Sequence, residues 1–172
     1  HEFALIDMLH DKKLIYAGAI VLGMNDALVE LTGTLSGIAF AFDKSIVVGL
    51  TGLIMGIAAS LSMAGSAYLE AKENPSELIK PLTYSLYTGI SYILTTAILV
   101  APFFIFDSIM ESLILMFICA FIAIISYNFY ISVAKDLSFT KKVLQMSAIT
   151  FGVAIISFLI GYLVKYYFGI DI

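Results

Sequence analysis

Residues Gly23–Gly37 read GMNDALVELTGTLSG, and they lie inside an unbroken hydrophobic run from Leu14 to Phe42. A run of that length reaches across the hydrocarbon core of a bilayer as a single helix. Near its middle stand Asn25, Asp26 and Glu30. Asp26 and Glu30 are four residues apart, so on a helix their carboxyl groups share one face. An acid at that depth costs about 2.5–3.5 kcal/mol on insertion scales, and such groups usually face a cavity or a pathway. Two on one face demand a chemical reason.

The whole chain fits this setting. Of its 172 residues 61% are hydrophobic and 13% charged, against roughly 25% charged in a soluble domain. It is therefore an integral membrane protein. All nine basic residues are lysine, so no guanidinium fork is available for phosphate, and no basic stripe exists for nucleic acid. Cys119 is single and sits in an apolar run, where it reads as a small hydrophobe and excludes an intrachain disulfide.

Five hydrophobic segments follow one another: Leu14 to Phe42, Ser45 to Leu69, Leu82 to Phe106, Ile109 to Ala134 and Val143 to Phe168. Each exceeds the ~20 residues a spanning helix needs. The fold expected is all-α, a bundle of five transmembrane helices over 14–172. Residues 1–13, which include Phe3, Leu5, Ile6 and Leu9 against Glu2, Asp7, His10 and Asp11, read as a short amphipathic helix before it. Pro102 is expected to kink the third span. Seven lysines (Lys12, Lys13, Lys72, Lys80, Lys135, Lys141 and Lys142) fall at one end of the bundle, and Lys44 and Lys165 at the other. By the positive-inside rule the amino terminus is cytoplasmic and the carboxy terminus outside or luminal.

Small residues recur every fourth position: Gly33 and Gly37 in the first span, then Gly52, Gly56, Ser60 and Ala64 in the second. Such rows let helix backbones approach closely in lipid. They predict tight packing of the first two spans on each other, with Asn25, Asp26 and Glu30 at or beside the contact. The third span carries a polar flank of Tyr84, Tyr87, Thr88, Ser91, Tyr92, Thr95 and Thr96. That flank suits a hydrated path or hydroxyls bonded to helix carbonyls.

No Lys, Arg or His lies in the interior of a span. Asp26 and Glu30 must therefore be protonated, bathed in water or neutralised by a visiting cation. A divalent cation displaces protons from its ligands, so the pair suits metal moving one way and protons the other. Carboxylates with the Asn25 amide oxygen are hard ligands, and Met24 or Met63 sulfur would shift the preference toward later metals. Protonated carboxyls that only lock helices together are the structural alternative. The connection after the second span adds Glu70, Glu73 and Glu77, a cluster placed to attract cations at the cytoplasmic mouth.

NDALVELTGTLSG (Asn25–Gly37), followed by SLSMAGSAYLEAKE (Ser60–Glu73), resembles the vacuolar iron transporter family. The resemblance implies a homodimeric five-helix exporter of Fe²⁺ and Mn²⁺ from the cytoplasm, exchanging protons, with no permanently bound cofactor. By motif position Asp26 matches the family's pathway aspartate and Met63 its pathway methionine, so the metal set implied is Asp26, Glu30, Asn25 and Met63. Many members place a Glu before the aromatic residue of the second motif, where this chain has Ala67 before Tyr68. Many also insert a Glu-rich metal-binding domain where this chain has about a dozen residues. The Asn-Asp-Ala-Leu-Val-Glu-Leu form looks like a branch fused to a ferritin-like domain, of which the opening stretch would be the last turns. A passive divalent-cation channel and a scaffold subunit with structural carboxyls stand as the other readings.

Overall fold

The computed structural model describes residues 2–76, 78–135 and 138–168, with side chains over 11–76, 78–133 and 138–168. Among these residues the chain is wholly helical. The elements are α1 (Glu2–Ile38), α2 (Ser45–Glu73), α3 (Pro81–Val100), α4 (Pro102–Ile105), α5 (Ile109–Lys135) and α6 (Phe139–Phe168). Five stretches are long and apolar enough to cross a membrane: Asp11–Ile38, Ser45–Glu73, Pro81–Ile105, Ile109–Val133 and Phe139–Phe168. Lipid offers no partner to a backbone N–H or C=O, so each apolar run closes its own hydrogen bonds as a helix. α1 runs without interruption from Glu2 into the first span, so the segment expected as a separate short helix continues the same rod.

Helix ends follow local chemistry. Asn74 closes α2 by returning both its backbone N–H and its side-chain amide to the Glu70 carbonyl, at 3.0 and 3.3 Å, and Pro75 prevents continuation. Pro102 divides the third span into α3 and α4, because its ring removes a donor and crowds the turn before it. Hydroxyls from neighbouring helices tie down this break. Ser112 donates to the Pro102 carbonyl at 3.1 Å and Ser45 to that of Phe103 at 3.1 Å, and the two hydroxyls sit 2.8 Å apart. The starts of α2, α4 and α5 are thereby fixed together.

α3 is the central element, wedged between α1 and α2, and α1 packs most extensively on α3 and α6. α2 meets α1 only over a limited contact. The expected tight pairing of the first two spans is thus corrected, and the glycines show why. A Cβ at Gly33 would stand 2.8 Å from Val153 Cγ1, and one at Gly37 3.0 Å from the Ser157 carbonyl oxygen, both on α6. A Cβ at Gly56 would overlap Thr96 of α3. Gly52 bridges the two partners, since its Cβ would meet Leu35 of α1 at 2.5 Å and Val100 of α3 at 3.3 Å. Spacing identifies a helix face that permits close approach, but any facing helix with a matching ridge can fill it.

The core is apolar and continuous: Leu28, Leu31 and Leu35 of α1 meet Tyr92, Leu99 and Val100 of α3, Phe103 of α4, and Met116, Ala120 and Ile124 of α5. Elsewhere large apolar side chains face outward along the helices, for example Ile54, Leu61, Leu94, Ile122 and Ile155. This outward apolar surface is the one a bilayer solvates.

Candidate metal-handling site

Asp26 and Glu30 lie one turn apart on a face of α1 directed between α3 and α6. On the α3 side α1 comes in so close at Gly23 that a Cβ there would overlap the Thr88 carbonyl and the Ser91 hydroxyl. On the α6 side Gly33 and Gly37 continue the same face outward. This approach brings Tyr92, fully buried, to Glu30, and its hydroxyl donates to Glu30 Oε2 at 2.6 Å. A bond that short between a phenol and a carboxyl oxygen is directional, so it holds one oxygen of Glu30 in place. The rest of the Glu30 side chain is exposed and Asp26 is half-buried. An acid at mid-span that is open on one side is accessible to whatever occupies that side.

The other expected ligands are placed differently. Asn25 points away from this face toward α5, where its side chain lies beside the Tyr127 hydroxyl, and its Oδ1 is buried without a partner. Met63, like Met24, is half-buried against the apolar core, serving there as packing. Asp26 and Glu30 thus share one face of α1, and Asn25 turns from it toward Tyr127 of α5. Among the described residues no three of His, Cys, Asp and Glu come together. A hard divalent cation takes six or more oxygen ligands, so one copy of this face offers only part of a coordination shell.

The lysine-rich end of the bundle holds a cavity of about 590 Å³, lined by Asp11, Glu70, Asn74 and Tyr84 with apolar residues of α1 and α2. Glu70 therefore opens into it, Glu73 is exposed outside it, and Glu77 lies outside the described residues. Ala67, 2% exposed, belongs to the buried face of α2. Two contributors were not singled out from the sequence. Asp11 stands 59 residues before Glu70 and only the fold joins them. Tyr92 belonged to a polar flank of seven residues, and nothing in their spacing marks the one that meets an acid.

This arrangement is that of an integral membrane protein, with five helices long and apolar enough to cross a bilayer, a carboxylate pair on the first of them and an acid-lined cavity at one end. Residues 17–75, which carry most of the first span and all of α2, match the model of the VIT family. Over that stretch the chain is similar to the VIT family. No curated protein matches the chain.

Proposed function

We propose that the chain exports divalent transition metal, Fe²⁺ or Mn²⁺, from the cytoplasm in exchange for protons. The observation that carries this reading is the open Asp26–Glu30 face at mid-span, with Tyr92 holding one Glu30 oxygen. Metal leaving the cytoplasm enters by the lysine-rich end, where Asp11 and Glu70 raise the local cation concentration in the cavity. It then meets Asp26 and Glu30, which release protons on binding and recover them when it leaves. Met63 offers a softer sulfur and Asn25 an amide oxygen if their helices turn during transport. The seven lysines at this end support a cytoplasmic amino terminus.

A second copy of the chain completes the site. Glu30 cannot face acyl chains as an ion, and two acids supply too few ligands for a divalent cation. Two copies meeting through this face contribute four carboxyl groups and cover them from lipid.

The test is metal uptake into proteoliposomes with a metal-sensitive dye inside and a pH dye alongside. Wild-type protein is expected to move Fe²⁺ or Mn²⁺ with protons in the opposite sense. Asp26→Ala is expected to abolish both, and Asp26→Asn to leave at most slow, uncoupled flux. Saturable metal flux with no proton movement would replace exchange by a facilitated route, and undiminished flux in Asp26→Ala would overturn the site.

A further inference from the structure

The cavity of about 590 Å³ at the lysine-rich end is larger than a passing ion requires, and its depth is set by the ends of three spans. Asp11 opens the first span, Glu70 and Ala71 lie in the last turn of the second, and Tyr84 lies in the first turn of the third. Spans of 28, 29 and 25 residues exceed the ~20 that cross the hydrocarbon. Their terminal turns, and the cavity between them, therefore reach the headgroup layer.

The lining has two characters. Leu14, Ile15 and Gly18 of α1, with Leu78 and Ile79 of the connection after α2, make most of the wall apolar. The polar groups are chiefly acceptors. Asp11 and Glu70 bring carboxylates, and Asn74 spends its Nδ2 on the Glu70 carbonyl at 3.3 Å, which leaves Oδ1 as the atom it can offer. Tyr84 adds a hydroxyl. No lysine is among the described lining residues, yet Lys12, Lys72 and Lys80 each adjoin one in the chain, following Asp11, Ala71 and Ile79.

This set selects among ligands. An anion would meet two carboxylates, and a neutral apolar molecule would strip water from both without replacing it. A hydrated metal ion gains nothing from apolar walls as it passes. An ammonium joined to an apolar body satisfies both halves, and pockets of this size and mixed lining are the usual form of an organic-ligand site. The head is further specified. A quaternary ammonium has no N–H and is held by a cage of aromatic rings, whereas this lining has one ring, Tyr84. A primary ammonium donates three hydrogen bonds, strengthened where the acceptor is a carboxylate.

We infer that the cavity is a lipid site, in which Asp11 and Glu70 bind the primary ammonium of an ethanolamine phospholipid. Its phosphate is matched by the flanking lysines, and its acyl chains run from the apolar wall into the bilayer. The inference stands whether or not metal and protons are exchanged.

The test is native mass spectrometry of the full chain in detergent with EDTA present, titrated with phosphatidylethanolamine or with phosphatidylcholine of identical acyl chains. The wild type is expected to hold the ethanolamine lipid about ten-fold more tightly, the size of one hydrogen bond to a charged group. Asp11→Asn/Glu70→Gln is expected to bring the two lipids level by weakening the ethanolamine lipid alone. Gly18→Leu probes shape with both acids kept. A Cβ at Gly18 meets nothing within 4 Å, so the larger side chain has room to fold into the cavity and is expected to abolish the preference by filling it. Melting temperatures establish that each variant is folded. Equal binding of the two lipids by the wild type, or a preference that survives in either folded variant, would overturn the inference.

Discussion

Glu30 shows what one buried phenol does to an acid in lipid. Tyr92 is anchored by the packing of α3 against α1, so its hydroxyl is presented to Glu30 without further ordering. Such a hydrogen bond contributes about 0.5–1.5 kcal/mol net, and more when the acceptor is charged. Tyr92→Phe keeps the ring in the core and removes only that bond. It is expected to leave the protein folded and to raise the half-saturating metal concentration roughly ten-fold, the equivalent of about 1.4 kcal/mol, measured as initial uptake rate against metal. Glu30→Gln keeps a hydrogen bond to Tyr92 and loses the charge. If Glu30 binds metal, this variant falls further than Tyr92→Phe in the same assay, and equal rates for wild type and Glu30→Gln would remove Glu30 from the site. The sequence made the acids legible because two carboxylates in an apolar run are conspicuous. Tyr92 was not legible, since a hydroxyl's partner is a property of the helix across from it.

At the level of elements, close backbone approach decides which helix lies against which. Gly161 of α6 abuts Gly37 of α1 so closely that a Cβ would overlap the Gly37 carbonyl, and a backbone carbonyl has no rotamer by which to yield. Gly161→Ala is therefore expected to lower stability by about 1–3 kcal/mol through overpacking. Gly152, on the same helix, has nothing near its missing Cβ. Gly152→Ala is expected to be neutral or to stabilise by about 0.5–1 kcal/mol, since alanine favours helix over glycine. Both are measured by thermal unfolding in detergent, followed by a thiol-reactive fluorophore at Cys119, the single cysteine. Equal melting temperatures for the two variants would refute the close α1–α6 contact. The rows of small residues were readable at period four, but their partners were not. Gly33 and Gly37 seat α6 and Gly56 seats α3, because α3 comes between the first two spans.

For the whole molecule, the open side of the carboxylate face sets the expectation of a second copy. Leu22, one turn before Asp26, is 40% exposed on this same side. In a Cys119→Ser background, Leu22→Cys is expected to cross-link two copies in native membranes under mild oxidation, seen as a dimer-sized band on a non-reducing gel. Its absence, with the protein correctly inserted, would place the second copy elsewhere and leave Asp26 and Glu30 needing another neighbour.

Membrane insertion, helix number and the presence of an acidic pair follow from the sequence alone, because each depends on how a single run of residues partitions between lipid and water, a sum over local side chains. The burial of α3 between α1 and α2, the bond from Tyr92 to Glu30, the placing of Asp11 and Glu70 around one cavity and the turning of Asn25 toward α5 belong to the tertiary structure. Each joins residues far apart in the chain, and lipid, which solvates every apolar face equally well, leaves shape and hydrogen bonding between helices to choose among the arrangements.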